Sequence, residues 1–395
     1  MFKSSFFVQN RAKLREASKA DVLVVVANGL LQRNGDGPFA FRQDSNFWYL
    51  CGIQVPDAIL SIDGNGTSML ILPEQSPNEK IFGAPYDTRE LQRMSGVDTV
   101  LVGEEGTKKL AAALASAQSI GMPAVPPAYS ERYGMFMNPS ARRINRFVRE
   151  CNTSASRQDI RRLLSRARMI KQPEEIAAIR NAVQITNETL AEVHKKISKY
   201  KYEYEIEADV VAGFRRRGAS GEAFGSIIAS GHNTCHLHYQ DNNAKLANNL
   251  VYLDVGAEYG HYAADITRTY ILQPNKRIQA VVAAVEQVAA YAKSLAKPGV
   301  TIRQNERLVR EQMGVVLLEL GLITSNAPDQ VSRYFPHGTS HYLGLDVHDV
   351  GDYDAPLAPG VVMTIEPGIY IADEGIGVRI EDDILITPKG YEQLS

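Results

Sequence analysis

The chain is short of several things, and each shortage narrows what it can be. It has three cysteines, Cys51, Cys151 and Cys235, widely spaced and without a CxxC pair. An odd, dispersed set gives no disulfide framework and suits a reduced, cytoplasmic setting. No stretch approaches the ~18 apolar residues of a membrane span. The N-terminus MFKSSFFVQNRAKLREASKAD also lacks an apolar core of signal-peptide length. Net charge is scarce as well: 43 Lys and Arg against 45 Asp and Glu give −2 at pH 7. That excludes the strongly basic balance expected of a partner for nucleic acid or an anionic membrane. Histidine is missing from the first 190 residues; all eight fall between His194 and His348. The single tryptophan, Trp48 in NFWYL, is assigned to a core rather than to an interface.

What remains is ordinary globular material, 44% hydrophobic and 22% charged over 395 residues. That length predicts two domains, each with its own core. The N-terminal half carries short apolar runs at Val22–Val26, Phe47–Leu50, Ala58–Ile62 and Met69–Leu72, with NGDGP and DGNG turn signals between them. Helical patterns lie near Thr88–Met94 and Thr107–Ser116. This half reads as a mixed α/β domain over residues 1–155. The polar stretch 156–172 reads as a linker, and residues 173–395 as a second domain.

The second domain repeats an order of elements. Pro173 opens a helix whose apolar residues Ile176, Ile179, Val183, Leu190, Val193 and Ile197 keep a period near 3.6. A helix over Glu205–Arg217 follows, then strands and a hairpin. The order returns as helices Ile278–Ala296 and Arg303–Leu320, strands and a second hairpin. Two such units related by a pseudo-twofold would bring the hairpins together on one curved sheet, with helices behind it.

The hairpins carry the chemistry. In LVYLDVGAEYGHYAADITRTY, Asp254 and Asp265 lie symmetrically about a turn at Glu258–Gly260, which predicts that they stand side by side on one face. Glu366 and Glu381 do the same about Ala372–Gly377. Paired carboxylates inside apolar strands repel and are costly to bury, so two pairs call for cations. Two divalent ions supply four positive charges against four carboxylates. A fifth ligand is taken from HGTSHYLGLDVHD, where His341 is preferred to its neighbours. Oxygen donors with one imidazole suit manganese first, with cobalt, zinc and iron as alternatives. Two such ions ~3.5–4 Å apart can activate a bridging water and polarise a carbonyl.

These segments, with TIEPGIY, GVRIEDD and the upstream SGHNTCHLHY, resemble the Xaa-Pro metallopeptidases of the pita-bread fold, the aminopeptidase P and prolidase family. The resemblance covers the C-terminal half in order, and more loosely FRQDSNFWYLCG in the N-terminal half. It implies an α+β chain: a pita-bread catalytic domain, with pseudo-twofold helices on a curved, mostly antiparallel sheet, and a smaller creatinase-type α/β domain before it. It implies that Asp254 chelates one metal, that Asp265 and Glu381 bridge both, and that His341 and Glu366 complete the other. Glu366 would also shuttle the proton of the attacking water. His238 and His348 would bond the scissile carbonyl, and His337 and Arg379 would shape the proline pocket. Arg379 stands two residues before Glu381, so on a strand it faces the same way. The substrate would be a peptide with proline second, and the assembly a homodimer or larger homo-oligomer.

One position departs from the pattern. Phe224, in EAFGSIIASG, stands where the family has a tyrosine whose hydroxyl braces a ligand carboxylate. The compact chain, without an extension after Ser395, favours a dipeptidase (prolidase). The alternative is an aminopeptidase P acting on longer peptides, and a remote one is an inactive binding module.

Overall fold

The computed structural model describes residues 2–125, 134–247 and 249–395. The chain divides into two compact units, residues 2–167 and 168–395. The first is built on a six-stranded mixed sheet. Its strands run, in spatial order, Thr99–Val102, Ser68–Leu72, Ile59–Asp63, Val22–Val26, Ser119–Met122 and Ser156–Asp159. The β-branched run Val22–Val26 lies inside the sheet, antiparallel to Ile59–Asp63 and parallel to Ser119–Met122. An unbroken apolar run belongs there, because both faces of an interior strand are covered. Val24 and Ile120 pack with Leu110, Leu114 and Val148 of the helices Gly103–Ser116 and Pro139–Cys151.

One expectation fails in this unit, and one apolar run takes a form that its pattern left open. Phe47–Leu50 is helical: Asp44 caps the helix Ser45–Cys51 by accepting from the Phe47 amide, and Gly52 closes it at φ 67°. The run is buried on every side, so it shows no period to separate helix from strand. Trp48 is in the core as expected, edge-on to Phe7 with centroids 5.6 Å apart. Residues 156–172 are not a loose connector. Ser156–Asp159 is the outermost strand, parallel to Ser119–Met122, and Arg161–Met169 is a helix. An edge strand is held through its backbone and keeps polar side chains, so SRQD reads as a linker. Ile160 and Leu164 anchor the segment from buried positions.

The second unit has the expected double order. Helices Pro173–Lys196 and Glu203–Arg216 precede the aspartate hairpin, and Lys276–Leu295 and Ile302–Glu319 precede the glutamate hairpin. In the later half the strand period of two separates core from chemistry. Met363, Ile365, Ile369, Val378 and Ile384 pack on Val281, Val285, Val288, Met313 and Leu317 of the helices. The opposite face of the same strands carries Glu366, Tyr370, Arg379 and Glu381. Among the described residues no helix is long and apolar enough to cross a membrane.

Candidate metal centre

The glutamate hairpin keeps one register throughout. Val362 pairs with Leu385, Ile365 with Asp382 and Gly368 with Arg379, which sets Glu366 directly against Glu381. The aspartate hairpin differs from expectation. Its turn lies one residue later, at Gly260 and His261, which take φ 58° and 72° between the paired Tyr259 and Tyr262. Two successive positive φ values make the tight turn that matches strand twist. Asp254 therefore faces Thr267, and Asp265 is its diagonal neighbour on the same face.

The segment with His341 lies beside the first glutamate strand. Thr364 N donates to the His341 carbonyl at 2.9 Å, and Glu366 N to that of Thr339 at 2.8 Å. This puts His341 Nε2 at 3.4 Å from both Asp265 Oδ2 and Glu366 Oε1. Single donor atoms of Asp265, His341 and Glu381 all lie within 4.8 Å of one another, and the three residues are buried. Across the hairpins, Glu381 N donates to the Thr267 carbonyl at 3.1 Å. Asp265 N donates to buried Asp383 at 3.1 Å.

The electrostatics of this cluster call for cations. Burial, then repulsion from Glu381 and Asp254, pushes the Asp265 carboxyl well above its usual range. Burial and Glu366 do the same to Glu381. Burial raises Glu366 to about 8. His341 is pushed down to about 3 by burial and by His348, so its ring is neutral. The Nδ1 side meets the Tyr342 carbonyl at 3.0 Å, which fixes the proton there. Nε2 then offers a lone pair to two carboxylates. With the carboxylates ionised, three acceptors converge without a donor, which is unfavourable, and a divalent ion among them reverses the sign. Asp254 adds a buried Oδ1 that accepts no hydrogen bond among the described residues. The five residues therefore fit divalent ions as hard donors with one imidazole.

Around them runs a chain of bonds that sequence spacing only partly exposes. Arg379 Nη2 donates to Asp254, its Nη1 to the Tyr370 hydroxyl at 2.9 Å, and its Nε to Thr267 Oγ1 at 3.2 Å. The guanidinium also lies over the Tyr252 ring, 4.7 Å from its centroid. Thr267 Oγ1 in turn donates to Glu381 Oε2 at 2.7 Å. His337 Nε2 meets the Tyr370 hydroxyl at 2.9 Å, and its Nδ1 lies 3.7 Å from Glu366 Oε2. Burial, then Arg379, takes His337 down to about 3. His348 stands edge-on to His341 with centroids 4.4 Å apart, and its pKa is lowered by burial and by His238. His238 is exposed and near enough to act on both His337 and His348. Phe224 is half-buried on a bend beside Gly256. Asp254 has a donor of its own in Arg379. Thr267 and Tyr370 were not singled out from sequence, although each lies an even number of residues from a ligand on its own strand.

Antiparallel strands backed by paired helices, holding four carboxylates and one histidine in one cluster, define a metal-dependent hydrolase. Comparison with known proteins specifies the family. Residues 177–388 match the model of metallopeptidase family M24, and residues 7–121 that of the aminopeptidase P N-terminal domain. An Xaa-Pro aminopeptidase of Escherichia coli is 31% identical over 100% of this chain and 94% of its own. One from Haemophilus influenzae is 34% identical over 92% of this chain and 87% of its own. The solved structure of aminopeptidase P from E. coli with the inhibitor Pro-Leu superposes with TM-score 0.85 at 30% identity, covering 100% of this chain and 95% of that one. The chain belongs to metallopeptidase family M24, among the Xaa-Pro metallo-exopeptidases of the pita-bread fold. The relatives carry the aminopeptidase name, which supports the alternative above over the dipeptidase reading that chain compactness had favoured.

Proposed function

We propose that this chain is an Xaa-Pro aminopeptidase, releasing the first residue of peptides whose second residue is proline. The observation that carries the reading is the buried Asp265–His341–Glu381 cluster with Glu366 at its edge, in a chain alike over its full length to enzymes of that name. Asp254, Asp265, His341, Glu366 and Glu381 would hold two divalent ions, manganese by preference. When bound, these would supply Lewis acidity and lower the pKa of a water.

The protein's own groups do the rest. An Xaa-Pro bond is a tertiary amide whose nitrogen must gain a proton before it leaves. Glu366, about one-fifth exposed, takes a proton from the attacking water at Oε2 and passes it to that nitrogen. His238 and His348 donate to the scissile carbonyl as its oxygen gains charge. His337 holds the ring side of the substrate, fixed by Tyr370, which Arg379 holds from behind. Three free cysteines agree with a reducing, cytoplasmic location. A homodimer or larger homo-oligomer completes the proposal.

The test is hydrolysis of Ala-Pro and Ala-Pro-Ala, by metal-free protein and with added Mn²⁺. Mn²⁺-dependent release of alanine from the tripeptide is the expected result. Cleavage of the dipeptide alone would restore the dipeptidase reading, and cleavage of neither would end both.

A further inference from the structure

One buried carboxylate near the centre takes no part in the mechanism above. Glu203, the first residue of the helix Glu203–Arg216, is fully buried. Its two oxygens accept five hydrogen bonds, all from a single loop. Oε1 accepts from Ser230 N at 3.0 Å, Ser230 Oγ at 2.9 Å and Asn233 Nδ2 at 3.2 Å. Oε2 accepts from the Tyr239 hydroxyl at 2.7 Å and Ala244 N at 3.0 Å. The Glu203 amide donates back to the Ala244 carbonyl at 3.0 Å. One carboxylate thus grips residues 230, 233, 239 and 244, the two ends and the middle of the loop that carries His238.

Asn242 also ties that loop to Ser226 and Ile228, and Thr234 ties it to Gly377, but the bond next to His238 is the one from Tyr239 to Glu203. After the short turn Gly231–Cys235 the loop contains no helix or strand among the described residues up to Leu250. Gly231 and Asn242 take positive φ values of 53° and 44°. The His238 ring has no hydrogen-bond partner among the described residues. Its place is therefore set by the backbone on either side. Leu237 and Tyr239 both pack on the apolar cluster of Ile227, Ala229, Tyr252 and Tyr370. His238 stands at the corner of a turn, closed by Tyr239 N donating to the His236 carbonyl at 3.1 Å, and from there it acts on His337 and His348.

We propose that Glu203 is the positioning residue for His238. Resting on the function proposed above, this means that the carboxylate sets the direction from which the histidine reaches the scissile carbonyl. A carboxylate is required because every group facing it is a donor. In Glu203→Gln one oxygen becomes an NH₂, which in either orientation points at a backbone N–H. That unmakes at least the bond from that N–H and leaves a buried donor unmatched.

The experiment compares Glu203→Gln, His238→Ala and the double variant in the metal-loaded enzyme. Glu203→Gln should lower kcat about 10–100-fold, leave KM within about threefold and leave bound metal unchanged. The double variant should be no slower than His238→Ala alone, because both remove the same contribution. The imidazole C–H resonance of His238 should shift or broaden in Glu203→Gln while that of His194 stays. A His238 resonance that does not move, or losses that multiply in the double variant, would overturn the proposal and leave Glu203 a general stabiliser. If Glu203→Gln does not fold, Tyr239→Phe removes one of the five bonds and is read the same way. Should the wild type cleave no Xaa-Pro peptide, the functional reading fails, yet the His238 resonance still decides this one.

Discussion

Glu366 and Glu381 stand opposite each other across a hairpin whose register never slips between Val362 and Leu385. Both are pushed above the usual carboxylate range, burial being the first cause for each. The two roles proposed for them differ because Glu366 is partly open to solvent and Glu381 is buried.

Removing the charge of the inner member should cost metal before anything else. Glu381→Gln keeps the shape and the Thr267 contact, but it takes one negative charge from the cluster. We expect bound metal per chain to fall below that of the wild type, with activity lower by more than the ~10–100-fold typical of an outer group. Metal analysis of the purified variant checks the first and Ala-Pro-Ala hydrolysis the second. A variant with full metal and full activity would remove Glu381 from the ligand set.

Metal binding and stability should respond to pH in opposite senses. Glu366 titrates at about 8 in the metal-free fold, against about 4.3 in an unfolded chain. A raised pKa means that the folded state keeps a proton which the unfolded state releases. The associated stability is fully present below the unfolded value and is lost as pH rises through the folded one. Metal-free protein should therefore lose stability between about pH 5 and 8. The ions displace those protons, so their affinity should rise over the same window. Melting temperatures with chelator and with Mn²⁺ should diverge as pH increases. Parallel curves would count against the carboxylate cluster as the binding site.

Asp349, next to His348, is expected to matter for stability through two buried cations. It accepts from Lys171 at 2.9 Å and also pairs with Arg168. Burial alone would raise its carboxyl, but Arg168 and Lys171 hold it below the usual range. Asp349→Asn leaves Lys171 buried against a neutral amide while Arg168 keeps Asp346, and loss of about 3–5 kcal/mol is expected. Urea unfolding of the metal-loaded protein measures it. A loss within experimental error would mean that the cations find other partners.

Phe224→Tyr should change little. Asp254 already receives Arg379, so the missing hydroxyl is not the only available donor. Metal affinity should move by no more than roughly threefold, well inside the ~10–100-fold of an essential outer contact. A larger gain in a metal titration would show that this chain runs with a loosened site.

The sequence by itself determined which strand face carries the ligands. A period of two is a property of the extended backbone, so Glu366, Arg379 and Glu381 were bound to share a face once their segments were strands. The repeated helix–helix–hairpin order was legible for a similar reason, since helix periodicity and turn residues are local. Other features needed the tertiary structure. Gly260 and His261 moved the first turn by one residue, and a one-residue slip of a turn shifts the cross-strand pairing by two. Phe47–Leu50 became a helix because a fully buried run has no pattern of its own. Residues 156–159 became a strand because an edge can be held by backbone bonds alone. The five bonds to Glu203 and the Asp254–Arg379–Tyr370–His337 chain join residues far apart in sequence. Such contacts depend on where the elements pack, and no local pattern of residues encodes that.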